Sequence, residues 1–162
     1  MIVKSYEIIN LIENLTNHYN ILESNRLIRN TLNEVEIGYS YRHYFEVLIN
    51  YTEQSRTDGY RLDELYMGII GLAQFIYQAR TVAEPRARSQ VGRSGAIQDR
   101  MAVDNMANNL NIMADLANDL YVKTVALDKE TDSKRRPVLF NTIKELKDVG
   151  MLLTSTSPGL IR

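Results

Sequence analysis

The sequence predicts an all-α protein, a helical bundle of four to five helices. Apolar residues recur at spacings of three and four along most of the chain, which is the period of one helix face. Only 8 glycines and 3 prolines occur among 162 residues, too few for a turn-rich β architecture. We therefore expect one bundle domain over residues 1–153 and an extended C-terminal arm over residues 154–162.

Composition excludes several classes of protein. The chain has no cysteine, which excludes disulfides, thiolate zinc sites and a cysteine nucleophile. Nineteen basic and twenty acidic residues give a net charge of -1, so the chain as a whole is not a polycation for nucleic acid. Glu7 and Glu13 interrupt the apolar N-terminal stretch, and no apolar run approaches the ~18 residues of a membrane span. We expect a soluble protein made in a cytoplasm.

The first helix is predicted from about Ser5 to Glu23. Ser5 can cap it, and Glu7 in the first turn suits the positive end of the helix dipole. One apolar seam then follows at spacings of four and three, formed by Ile8, Ile12, Leu15, Tyr19 and Leu22. Ser24 and Asn25 are expected to break or recap the helix, and a second helical piece should end before Gly38.

Residues 35–41 alternate between apolar and polar types, which is compatible with a strand. The helical spacing of Phe45, Leu48 and Thr52 resumes directly afterwards, and it favours a helix over about 40–55. Asp58-Gly59 predicts a turn. Strand or helix remains open for 35–41.

Three further helices are predicted. Residues 62–80 form the most apolar of them and should lie centrally. A long helix is expected over about 96–127, with an asparagine-rich face opposite its apolar one. Pro137 is a plausible first-turn residue of a last helix that ends at Gly150.

Residues 80–100 predict a long basic loop that contains Pro85, Gly92 and Gly95. Arginine pairs with phosphates and with carboxylates on partner proteins. Contact with a protein, contact with DNA phosphates and a solvated loop all remain open for this segment. The candidate partner-binding residues in it are Arg80, Arg86, Arg88, Arg93 and Arg100.

Two other groups are candidates for partner binding. Tyr39, Tyr41 and Tyr44 crowd a short region, and tyrosines are typical both of interfaces and of core rims. The C-terminal arm ends in an apolar pair that could anchor an extended peptide on a neighbour. The arm residues proposed for this contact are Pro158, Leu160, Ile161 and Arg162.

No catalytic, cofactor-binding or metal-binding residues are predicted. His18 and His43 stand on different helices, and neither belongs to a metal-binding motif. The chain contains no nucleophile elbow and no glycine-rich phosphate cradle. These observations predict a non-enzymatic protein that binds other macromolecules.

The layout of a small helical bundle, a basic loop and an extended C-terminal arm resembles the head-to-tail connector proteins of tailed bacteriophages. The resemblance implies a virion structural subunit that forms a homo-oligomeric ring beneath the portal and reaches into it with residues 154–162. It implies that residues 80–100 face the ring lumen or a neighbouring subunit. Two alternatives remain: a small cytoplasmic helical adaptor or chaperone, and a DNA-binding accessory factor that acts through the arginines.

Overall fold

The computed structural model of the chain describes residues 2–34, 39–50, 58–94 and 97–128, of which 92% are helical. In chain order the helices are α1 (Tyr6–Ser24), α2 (Arg26–Glu34), α3 (Tyr39–Asn50), α4 (Leu62–Gln78), a π-helical turn (Ala79–Ala83), α5 (Glu84–Ser94) and α6 (Ile97–Leu127). The backbone stays helical through the π turn, so α4 and α5 form one continuous rod. The prediction of an all-α bundle is confirmed.

α1 begins and ends where the sequence predicts. The backbone N–H of Ile8 donates to Ser5 Oγ over 3.3 Å, which caps the helix. The predicted seam is buried, with Ile8, Ile12 and Leu15 fully enclosed. Asn25 separates α1 from α2, and its Oδ1 accepts from the N–H of Ile28 over 3.1 Å. Asn25 therefore both ends one helix and caps the next.

A two-stranded sheet adds an element that the sequence reading missed. β1 (Ile2–Val3) pairs antiparallel with β2 (Tyr60–Arg61), so that Val3 faces Tyr60. Gly59 precedes β2 with a φ of 82°, and a Cβ there would lie 2.9 Å from the carbonyl oxygen of Val3. The predicted turn at Asp58-Gly59 thus needs its glycine to bring the N-terminal strand against β2.

α4 occupies the centre of the bundle, as predicted. It packs against both α3 and α6, while α1 packs along α6. A Cβ added at Gly68 would lie 2.6 Å from Leu48 Cδ2, so the glycine lets α3 approach α4 closely. The core between these helices is filled by large side chains, among them Phe45, Phe75, Tyr66 and Tyr121.

The prediction of a basic loop over residues 80–100 is wrong for 80–94 and 97–100, which are helical. The glycine and proline content suggested a break, but Pro85 lies just after the π turn. A wider turn there relieves the clash of the proline ring with the preceding carbonyls. The buried face consists of Ala79, Ala83, Ala87 and Val91, whose small side chains give a weak apolar period.

The C-terminal end of α6 is tied back to the core. Tyr66 Oη donates to Asp128 Oδ2 over 2.7 Å, and both side chains are buried. The predicted last helix from Pro137 and the C-terminal arm at 154–162 lie outside the described residues, as do 35–38 and 51–57. In the part of the chain that is described, no helix has both the length and the apolar run that a bilayer crossing requires.

Candidate functional site

The arginine-rich segment is one arm of a helical hairpin formed by α5 and the N-terminal half of α6. The two helices run antiparallel, since Arg80 contacts Asn111 while Arg88, two turns further on, contacts Asp104. The alanine stripe of the π turn and α5 packs against α6, where Val103 and Met106 are buried. Small side chains allow close packing and leave the outer faces of both helices to solvent.

Two of the predicted partner-binding arginines are occupied within the chain. Arg80 Nη2 donates to Asn111 Oδ1 over 2.6 Å. Arg88 pairs with Asp104 over 3.0 Å and with Glu84 over 3.6 Å. Both residues therefore brace the hairpin, although Arg88 remains half-exposed. Their fork-like guanidinium groups are less available for a partner than the sequence suggested.

The exposed part of the hairpin combines positive charge with apolar side chains. Arg86 and Arg100 are exposed, and Arg93 lies in α5 with its side chain outside the described part. Ile97 is 73% exposed and Met101 65%, one helical turn apart on α6. We call Arg86, Ile97, Arg100 and Met101 the hairpin surface. Large apolar side chains beside arginine are typical of protein interfaces.

The other predicted contact residues are only partly described. Tyr39 and Tyr41 belong to α3, but their side chains lie outside the described part. Tyr44 is 37% exposed and lines a cavity between α3 and α4. The arm residues Pro158, Leu160, Ile161 and Arg162 also lie outside the described residues.

The cavity between α3 and α4 has a volume of about 260 Å³. Its wall contains apolar and aromatic side chains, and two carboxylates from the first turn of α4 belong to it. The residues that line it are Tyr44, Val47, Leu48, Tyr60, Asp63, Glu64 and Met67. The sequence reading did not find it, because the cavity depends on how far α3 and α4 splay apart.

A polar cluster around Arg42 was also missed. Arg42 Nε donates to Tyr19 Oη over 2.8 Å and lies 3.2 Å from Glu46 Oε1, while Nη2 pairs with Glu23. The guanidinium carbon lies 5.6 Å from the ring centroids of both Tyr19 and Phe75. The cluster therefore joins α1, α3 and α4 by charge and ring contacts.

The same cluster shifts the ionisation of its members. Burial raises the pKa of the Tyr19 hydroxyl well above its ordinary range, although Arg42 opposes the shift. Burial would lower the pKa of Arg42, but the hydrogen bond to Tyr19 and the two carboxylates outweigh it and raise that pKa. Both groups keep their protons at neutral pH, so Arg42 stays a cation between the two carboxylates and the cluster acts as a structural clamp.

One sequence signal pointed to this clamp. Arg42 and Glu46 are four residues apart, as are Tyr19 and Glu23, and such pairs share a helix face. What the spacing does not show is that the two helices face each other. The histidines are less informative: His18 Nδ1 lies 2.7 Å from Asn109 Oδ1, and His43 is exposed.

The buried Asn109 explains part of the asparagine-rich face of α6. Its Nδ2 donates to the carbonyl oxygen of Asn105 over 2.8 Å, which leaves Oδ1 to accept from His18. This bond links α1 to α6. Within residues 2–34, 39–50, 58–94 and 97–128, no group of three His, Asp or Glu side chains could hold a metal ion.

Comparisons with known proteins, by sequence and by structure, give no match: no protein family, no curated protein and no solved structure is similar to this chain.

Proposed function

We propose that this chain is a non-enzymatic structural subunit of a larger assembly and that it binds neighbouring subunits through the hairpin surface. The observation that supports this proposal is the exposure of Ile97 and Met101 on the helix face that also carries the exposed Arg100. Exposed apolar side chains of this size cost solubility unless a partner covers them. The charge of Arg100 favours a partner with carboxylates.

In its more specific form, the proposal is a homo-oligomeric ring in a virion, at the head-tail connection of a tailed bacteriophage. A head-to-tail ring needs two different complementary patches on each subunit. The hairpin surface supplies one patch, and its positive charge suits an acidic neighbour. Of the layout that resembles connector proteins, the helical bundle is the part that supports this form of the proposal.

The test is the mass of the full chain in solution, measured by light scattering over a range of concentrations. We expect a mass that rises above the 18.6 kDa of one chain. Ile97→Asp combined with Met101→Asp should lower it toward that value, because two charges would oppose burial of the surface. Ile112→Asp is the matched control, since Ile112 is 43% exposed on the same helix but outside the hairpin surface.

Two results would contradict the proposal. One is a mass of 18.6 kDa at every concentration tested. The other is an oligomer that the double substitution on the hairpin surface leaves intact.

A further inference from the structure

We propose that the cavity between α3 and α4 binds the C-terminal residues of a second copy of this chain, with Leu160 in the cavity and Arg162 at the carboxylates of its rim. The inference rests on the proposed function, because it assumes that copies of the chain meet. It adds a second contact surface, separate from the hairpin surface, and names its occupant.

The interior of the cavity suits an aliphatic side chain. Val47, Leu48 and Met67 contribute apolar surface, and the rings of Tyr44 and Tyr60 complete the wall. The volume of about 260 Å³ exceeds the ~150 Å³ of an engineered apolar cavity that binds benzene. A leucine side chain is therefore small enough to enter.

The charge of the rim selects a cation. Asp63 and Glu64 are both exposed in the first turn of α4, and none of the described residues that line the cavity is basic. A peptide with an aliphatic side chain followed by a cationic one could place the aliphatic side chain against the apolar wall and the cation at the carboxylates. In this chain, residues 154–162 contain one charged side chain, Arg162, two residues after Leu160.

The spacing of the tail residues fits this arrangement. In an extended peptide, side chains at positions i and i+2 point to the same side, and the intervening one points away. Leu160 and Arg162 would then face the cavity together, while Ile161 faces outward. Ile161 is therefore a matched internal control of similar size and hydrophobicity.

The test uses a fluorescent peptide of residues 154–162, acetylated and amidated so that Arg162 is its one charge. It is titrated against the full chain carrying Leu160→Asp, so that the chain's own tail does not compete, and binding is followed by anisotropy. We expect saturable binding that Leu160→Asp in the peptide weakens at least about tenfold, and Ile161→Asp less.

A charge exchange makes the test specific for the rim. Glu64→Arg in the full chain should weaken binding of the natural peptide about tenfold, and the Arg162→Glu peptide should recover it. Asp115→Arg, the same change of charge at an exposed site on α6, should leave the affinity unchanged. Circular dichroism of each variant shows whether the fold is retained.

The inference is overturned if the peptide does not bind, if Leu160 and Ile161 substitutions weaken binding equally, or if the charge exchange restores nothing. These results differ from a failure of the proposed function. An assembly that depends on Ile97 and Met101 while the peptide fails to bind would refute the cavity contact alone. Peptide binding by a chain that stays monomeric would refute the hairpin contact, and it would also refute a second copy as the source of the tail in the cavity.

Discussion

The bundle and the hairpin are both packed helices, but they bury side chains of very different size. In the bundle, α3, α4 and α6 enclose Phe45, Phe75 and Tyr66. In the hairpin, the π turn and α5 together bury a stripe of three alanines and one valine. Because the free energy from burial grows with apolar area, the hairpin contributes much less to stability than the bundle. The hairpin therefore depends less on apolar burial than the bundle does.

Charge is also used differently in the two regions. Arg42 in the bundle is 13% exposed and satisfied by several partners at once, so its removal would leave polar groups of two helices without a donor. Arg88 in the hairpin is 49% exposed, and ion pairs of that kind contribute little. The bundle therefore uses an arginine as an internal clamp, whereas the hairpin presents most of its positive charge to solvent.

The largest expected difference comes from truncating one buried side chain in each region. Phe75→Ala should lower the free energy of unfolding by about 3–5 kcal/mol, because Phe75 is fully buried and in ring contact with Tyr19. Val91→Ala in the hairpin removes only two methyl groups and should cost about 1–2 kcal/mol. Urea unfolding of both variants measures this difference. Equal losses would show that the hairpin is as much a part of the core as α4.

The next contrast is between two helical glycines. Gly68→Ala should destabilise by about 1–3 kcal/mol, since the new Cβ would lie within 3.3 Å of three side-chain atoms of Leu48. Gly92→Ala meets no atom within 4 Å and should stabilise α5 by about 0.5–1 kcal/mol through helix propensity. Thermal melting followed by circular dichroism reports both signs. A destabilising Gly92→Ala would mean that another part of the assembly or chain packs against the open side of α5.

The smallest expected effect is a loss of stability at alkaline pH through buried tyrosines. It concerns the bundle and not the hairpin, because residues 78–120, which include the hairpin, contain no tyrosine. Burial raises the pKa of Tyr121, whose hydroxyl has no hydrogen-bond partner among the described residues. As pH rises above ~10, the Tyr121 hydroxyl therefore loses its proton in the unfolded state before it does so in the folded state. The free energy of unfolding consequently falls as pH rises beyond that value. Tyr19 acts with the same sign.

Tyr121→Phe should make this alkaline loss shallower and change stability at pH 7 by less than about 1 kcal/mol. Urea unfolding at pH 7 and at alkaline pH measures both effects. Tyr6→Phe is the control, because Tyr6 is 85% exposed and should leave the slope unchanged. An unaltered slope in Tyr121→Phe would show that its hydroxyl is solvated in the folded protein.

Prediction from sequence succeeded where large apolar residues repeat. The seam of α1, its cap at Ser5 and the central place of α4 follow from local spacing and side-chain chemistry. The prediction was wrong at residues 80–94, which are helical. An alanine face differs little in hydrophobicity from its polar neighbours, so the helical period is weak. Pro85 and Gly92 suggested a break, but both are tolerated in this packed helix. The arginines were correctly noticed as unusual, but their occupation by Asn111 and Asp104 could not be foreseen.

The sequence by itself determined that this chain is an α-helical bundle and where most of its described helices begin and end. Those properties depend on residues close together in the chain, through caps, periodicity and turns. Only the tertiary structure decided that Arg42 is a buried clamp, that Ile97 and Met101 are exposed beside Arg100, and that α3 and α4 enclose a cavity. Each of these features depends on which helix faces pack against each other. The spacing of residues along one helix does not show which other helix packs against it.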